Sequence, residues 1–359
     1  MAGTGPVKLT SPRVWRTYVG GSRIDAIHGI GNSPDGQFPE EWIMSTVNAR
    51  NVGREHITDE GLCYLAGTDR SLRDYIAGDP EGVLGKKHVE KLGNTTGVLV
   101  KILDSAERLT IQAHPNKQRA MELFQSPFGK TECWHILDTR TIDGQVPCIY
   151  LGFKEGITRE RWKHLFDTQN IPEMLDCLHR FPVKPGETYL INGGVPHAIG
   201  PGCLLVEIQE PTDFTVRTER VTPKGLRIQD AQCHQGLGFD KMFDCFIYEG
   251  LSLEDAGCRW RIGHQILEKT EAVTHSLLIG REQTPCFRLE RYDVSGSCRL
   301  DARGVISGLY VYAGSGSLSC AGHRETCVPG DQFFLGADCP EVTVEGDLTL
   351  FRCFGPELE

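Results

Sequence analysis

The stretch LTIQAHP, Leu109 to Pro115, decides how this chain is read. In a strand, successive side chains alternate between two faces, so Thr110, Gln112 and His114 fall on one side and Leu109, Ile111 and Ala113 on the other. Just upstream, VLVKIL at 98–103 is apolar and reads as a buried strand. A polar row beside such a neighbour faces either water or a ligand.

Two later segments carry complementary chemistry. KTECW at 130–134 reads as a strand with Lys130, Glu132 and Trp134 on one face, which turns His135 away from Glu132. KPGETYLINGGVPHAIGPG at 184–202 is a strand between glycine and proline turns, and it delivers His197. Gln112, His114, Glu132 and His197 then offer two imidazoles, a carboxylate and an amide oxygen, a donor set suited to zinc or, failing that, to iron, manganese or cobalt. No thiolate is needed, and water can complete the shell. A single strand histidine is more often a surface or core residue than a ligand, so the argument for a metal rests on the ensemble.

That ensemble has the grammar of the cupins: a metal-binding pair on one strand, then a glutamate, then a G-x5-(P/N)-x-G-x2-H turn, which Gly186, Asn192, Gly194 and His197 fit. QAHP, GKTECW, PGETYLINGGVPHAIGPG and VEIQEPTDFTVR (206–217), in that order, together resemble the type I mannose-6-phosphate isomerases in their shorter bacterial form. The likeness spans about residues 10–225 and takes in LVKILDSAERLTIQAHP (99–115) and, more weakly, EEWIMST (40–46). It departs where Val14-Trp15-Arg16 stands for the usual Trp-Gly-Gly, where Glu40-Glu41 replaces Gly-Glu, and across Val221 to Lys224. These departures bear on the choice of sugar more than on the metal.

The resemblance implies a mainly β fold: a cupin jelly-roll sandwich with a helical insertion, then a second cupin-like β-domain without metal. It also implies one zinc per chain on Gln112, His114, Glu132 and His197. The expected division is a catalytic domain at 1–250 and a C-terminal domain at 251–359. The latter is legible on its own, because GLYVYAGSGSLSCAGHRETCVPGDQFFLGADCPEVTVEGDLTLFRC (308–353) alternates short apolar runs with turns. It holds His323 but no histidine at the turn after Pro329. Pro185-Gly186-Glu187 and Pro329-Gly330-Asp331 echo one another at the level of fold, not of sequence repeat.

Two helical stretches interrupt the strands. Ser71-Leu72-Arg73-Asp74 resembles a capping box, which predicts a short helix to about residue 77, broken by Gly78 and Pro80. Trp162, Leu165, Phe166, Met174, Leu175 and Leu178 recur at spacings of three and four, which predicts a helical insertion over 155–181 that covers the barrel end.

Composition sets outer bounds. At 359 residues, 39% hydrophobic and 24% charged, the chain can bury one large core or two ordinary ones. Its net charge of -10 argues against nucleic-acid and membrane-surface partners, so an anionic sugar phosphate needs a local basic pocket. The 14 cysteines form no C-x-x-C pair and read as reduced core residues of a cytoplasmic protein. No secretory h-region or membrane span is legible, and monomer and homodimer both stay open.

Moving a proton between C1 and C2 of an aldose through an enediol requires a base near both carbons and a way to stabilise charge on O1 and O2. A divalent cation does the second. The resemblance carries an active-site Glu and Arg, ten residues apart, onto Glu207 and Arg217. Arg217, always charged, is the charge stabiliser. Glu207 is the first candidate base, with Asp213 and Lys130 the others. Resemblance places Thr110 and Lys130 on the phosphate, and Lys224 near it. Two other readings stand beside mannose 6-phosphate isomerisation: a cupin metalloenzyme acting on another sugar or phosphosugar, an iron dioxygenase among them, and a non-catalytic sugar-binding cupin.

Overall fold

The computed structural model describes residues 5–358 and stacks three β-sheets. The seven-stranded middle sheet runs in the order Arg261–Ile262, Thr188–Ile191, Glu132–Thr139, Cys203–Gln209, Leu99–Asp104, Glu40–Ile43, Arg13–Val14. Its strands obey period two on both faces. Val100, Ile102, Cys133, Val206 and Ile208 pack against Leu289, Phe334 and Phe351 of a nine-stranded sheet. Leu103, Trp134, Ile136 and Leu205 pack the other way, against Ile149, Leu151 and Ile199 of a six-stranded sheet. Burial on both sides is why VLVKIL reads as a continuous apolar run, and why the one charge inside it, Lys101, requires partners.

The six-stranded sheet holds Val216–Arg217, Gln112–Ala113, His197–Ile199, Cys148–Lys154 and Gly250–Leu251, with Leu178–Pro182 also on Cys148–Lys154. Helices Arg159–Thr168 and Ile171–Asp176 cover its outer face, packing Trp162, Phe166 and Met174 with Ile111, Ala113 and Phe153. Thr158 and Asn170 cap them by accepting backbone N–H groups, and Pro172 sits in the first turn of the second. The helical insertion expected over 155–181 is therefore shorter than its periodicity implied. From Leu178 the chain is a strand, because Leu178 and Phe181 fit either period over so few residues and pairing with Cys148–Lys154 decides.

Ser71 caps Leu72–Gly78 as expected, its hydroxyl accepting from Asp74 N at 3.0 Å. The chain does not then turn into a loop. Pro80 occupies the first turn of a new helix, Pro80–Leu84, capped by Asp79, and Lys86–Leu92 follows. LTIQAHP, in turn, is regular strand only at Gln112–Ala113, because the Glu219 carboxylate takes Ile111 N at 2.6 Å in place of a ladder partner.

The nine-stranded sheet is built mainly from residues after 264, and Leu309, Val311, Phe333, Leu335 and Leu350 give it a core of its own. Strands cross the expected boundary in both directions. Val7–Thr10 pairs with Gln332–Leu335, and Arg261–Ile262 pairs with Thr188–Ile191 of the middle sheet. The division into 1–250 and 251–359 stays our proposal for the two units, which exchange these strands. Phe351, fully buried between the two sheets, should cost about 3–5 kcal/mol when cut to alanine. Urea unfolding of Phe351→Ala against the wild type measures this.

Candidate active site

Three segments meet between the middle and the six-stranded sheets. His197 is in register with Gln112, which brings those two side chains together. Glu132 opens a middle-sheet strand opposite them. The crossing is tight because two glycines admit the backbone of Asn116: a Cβ at Gly129 would lie 2.8 Å from it, and one at Gly193 would lie 2.6 Å from Asn116 Cα. Lys130 N donates to Pro115 O at 3.0 Å and Gly194 N to His114 O at 2.6 Å, which locks the segment that carries His114 between the other two. The Glu210 carboxylate accepts from Gly129 N and Thr131 N at 3.2 and 2.9 Å, fixing the approach to Glu132.

His114, Glu132 and His197 are buried and form a cluster whose ligand atoms lie within 4.8 Å of one another. His114 Nε2 is 3.2 Å from Glu132 Oε2, and His197 Nε2 is 3.3 Å from Glu132 Oε1. Each imidazole spends its other nitrogen on a backbone carbonyl: His114 Nδ1 lies 2.7 Å from Phe214 O and His197 Nδ1 2.9 Å from Val195 O. That contact fixes the proton on Nδ1 and leaves the Nε2 lone pair aimed inward, as metal-bound histidines require. Burial and the nearby Lys130 ammonium push the His114 pKa down to about 3, and burial lowers that of His197, so both rings are neutral. The Gln112 amide nitrogen stands 3.3 Å from His197 Nε2, and half a turn of the amide puts its oxygen there.

Neither oxygen of Glu132 receives a hydrogen bond. Burial opposes its ionisation, yet the Lys130 ammonium outweighs this and keeps it charged. The Lys130 ammonium lies 2.9 Å from His114 Nε2 and 3.1 Å from Glu132 Oε2, a cation drawn onto the donor set. An unsatisfied buried carboxylate, two inward lone pairs and an amide suit a four-coordinate zinc site.

Beside this cluster opens a narrow cleft walled in part by Thr110, Gln112, Lys130, Glu207, Asp213 and Arg217. Glu207 is held at both oxygens, by Lys101 Nζ at 2.8 Å and by Trp134 Nε1 at 3.2 Å. Burial pushes its pKa up, with Lys101 opposing. Among the described residues Arg217 donates only to the Thr215 and Gln232 carbonyls, at 3.2 and 3.1 Å, which leaves the rest of its fork for an anion. Asp213 is committed elsewhere, gripped by Arg16 and by Arg50 N at 2.8 Å. Burial would raise its pKa, but Arg16 and Lys101 hold it well below the usual carboxylate range.

Lys224 is exposed and absent from the cleft wall; its backbone N donates to Glu107, at 3.0 Å, on a hairpin closed by Val221 and Arg227. His135 points to the opposite face of its strand, 2.9 Å from Thr188 Oγ1. Sequence reasoning missed Arg16, Tyr18, Glu40 and Lys101, which also line the cleft. For Lys101 a signal existed, a lone charge inside an apolar strand. For Arg16 there was none.

The chain is similar to known proteins in sequence and in fold. The family model for the catalytic domain of type I phosphomannose isomerase matches residues 63–128, a span that includes Gln112 and His114. A mannose-6-phosphate isomerase of Streptococcus mutans is 26% identical over 288 residues, covering 78% of this chain and 82% of its own. The crystal structure of mannose 6-phosphate isomerase from Bacillus subtilis superposes with a TM-score of 0.75 at 22% identity, over 97% of this chain and 99% of that one. A zinc-bound mannose 6-phosphate isomerase gives 0.73 at 17% identity, over 98% of this chain and 100% of the other. The linked motifs, the shared fold and the matched catalytic segment agree: over most of its length the chain is similar to the type I phosphomannose isomerases.

Proposed function

We propose that this protein is a zinc-dependent aldose–ketose isomerase that interconverts mannose 6-phosphate and fructose 6-phosphate through a cis-enediol. The observation that carries the reading is the carboxylate of Glu132, buried without a hydrogen bond between two inward imidazole nitrogens, at the edge of a cleft that also holds Glu207 and Arg217. Gln112, His114, Glu132 and His197 would hold the ion. When bound, it supplies Lewis acidity toward adjacent sugar oxygens and lowers the cost of enediolate charge by several kcal/mol.

The chain's own residues do the rest. Glu207 takes the proton from C2 and returns it to C1; Lys101 and Trp134 keep its two oxygens in one orientation during the transfer. Asp213, held by Arg16 well below the usual carboxylate range although burial opposes this, is too weak a base for the transfer. Arg217 faces the negative charge that develops on the enediol oxygens. Thr110 and Lys130, both buried in the cleft wall, supply donors to the phosphorylated sugar, and Lys224 stays outside. None of the 14 cysteines is in a disulfide, which suits our placement of the protein in the reducing cytoplasm. No helix among the described residues is long and apolar enough to cross a membrane.

A coupled assay should show conversion of mannose 6-phosphate to fructose 6-phosphate that chelation abolishes and zinc restores; activity indifferent to chelation contradicts the proposal. His114→Ala and Glu132→Ala should lose zinc in metal analysis, whereas Arg217→Ala should keep zinc and lose roughly 10²–10³-fold in kcat. Glu207 works as a carboxylate with a raised pKa, so kcat/KM should fall as pH drops through a value above the ordinary 4.5. Glu207→Gln should cost roughly 10²–10⁴-fold and erase that acid limb, with zinc content unchanged.

A further inference from the structure

Arg16 is buried in the cleft wall, yet no step above uses it. Four of its five N–H donors are engaged. Nε donates to Glu40 Oε2 at 2.8 Å, Nη1 and Nη2 grip the two oxygens of Asp213 at 3.2 and 3.3 Å, and Nη1 reaches Asn51 Oδ1 at 3.4 Å. The group also lies 5.1 Å from the Trp42 ring. A side chain so occupied has a single N–H left uncommitted, against the three that Arg217 keeps.

What it does control is a competition. Two carboxylates flank one ammonium: Lys101 Nζ is 2.8 Å from Glu207 Oε1 and 3.9 Å from Glu40 Oε2. Glu40 is otherwise satisfied, because Tyr18 donates to its Oε1 at 2.8 Å while Trp42 Nε1 and Arg16 share its Oε2. Without Arg16, Glu40 and Asp213 would be two buried anions short of a cation, and Lys101 would be the nearest remedy. We infer that Arg16 is a positioning residue for the isomerisation: by taking up Glu40 and Asp213 it reserves Lys101 for Glu207 and so keeps the base aimed and charged. This inference rests on the isomerase reading and gives Arg16 no contact with the sugar.

The sign of the effect follows from the charges that surround Glu207. Lys101 faces it from Leu99–Asp104, Lys130 and Glu132 from the strand on its other side, and Glu40 from Glu40–Ile43. Asp213 and Arg217 line the same cleft from the segment that follows Glu207, and Arg16 and Tyr18 from the N-terminal segment. Removing Arg16 makes this set more negative by one charge and draws Lys101 toward Glu40. Both changes favour the protonated carboxyl, so the acid limb moves to higher pH.

The test uses zinc-loaded Arg16→Gln and Arg16→Lys, with pH profiles, zinc content and thermal unfolding measured on the same samples. Arg16→Gln should keep its zinc, lose at least about tenfold in kcat at neutral pH, and shift the acid limb upward by about one pH unit. Arg16→Lys keeps the charge without the two-pronged grip and should shift it less. Adding Glu40→Gln to Arg16→Gln removes the competitor and should bring the limb back toward the wild-type position. A purely structural residue would lower the melting temperature and the specific activity but leave the limb in place. That outcome in either folded Arg16 variant overturns the inference; if Arg16→Gln does not fold, Arg16→Lys decides. A zinc-loaded wild type that fails to isomerise mannose 6-phosphate overturns the isomerase reading itself, and this inference with it.

Discussion

Glu132 opens a middle-sheet strand with its carboxylate enclosed by protein and no hydrogen bond to either oxygen. Burying such a group unsatisfied costs several kcal/mol, so the fold around it has to hold positive charge or a metal close by. Much of the local architecture follows from this. Gly129 and Gly193 let the His114 segment approach within backbone contact, the Phe214 and Val195 carbonyls fix the tautomer of each imidazole, and Lys130 sits against the carboxylate. The same arrangement makes three distant stretches of sequence mutually dependent, since each orients the others.

The middle sheet extends that logic. One parity of its strands is mainly apolar, through Val100, Ile102, Cys133, Val206 and Ile208, and cements it to the nine-stranded sheet. The opposite parity carries Lys101, Glu132 and Glu207 among Leu103, Trp134 and Leu205. Lys101 and Glu207 face each other across neighbouring strands at register positions set by the ladder, and Glu132 has Lys130 beside it on its own segment. Rigid sheet, rather than loop, therefore aims the candidate base.

The ligand set was legible because its residues lie in short strands with turn chemistry between them: QAHP, KTECW and the glycine-proline turn before His197 each point one way by period two. Arg217 and Glu207 were accessible only through the family likeness. The supporting charges were harder to see. Arg16 lies in an irregular N-terminal segment, and its partner Asp213 is nearly two hundred positions away, at |i−j| = 197. Nothing local marks such a pair. Element boundaries failed for a related reason: Leu178 to Pro182 is apolar at spacings that suit helix or strand, and only its pairing with Cys148–Lys154 chooses. Pro80, taken as a stop, starts a helix because a ring at the first turn removes a donor the helix does not use.

The strand Val7–Thr10 has its seat in the far sheet, beside Phe333 and Phe334, and only a few residues later the same thread reaches the cleft at Arg16. Arg261–Ile262 makes the reverse journey. A freestanding catalytic half is thus unattainable by simple excision: a cut between the two halves would bare the greasy back of the middle sheet and untie the lead-in to the pocket. Recombination or protein engineering of this chain has to move the three stacked layers as a single inheritable block.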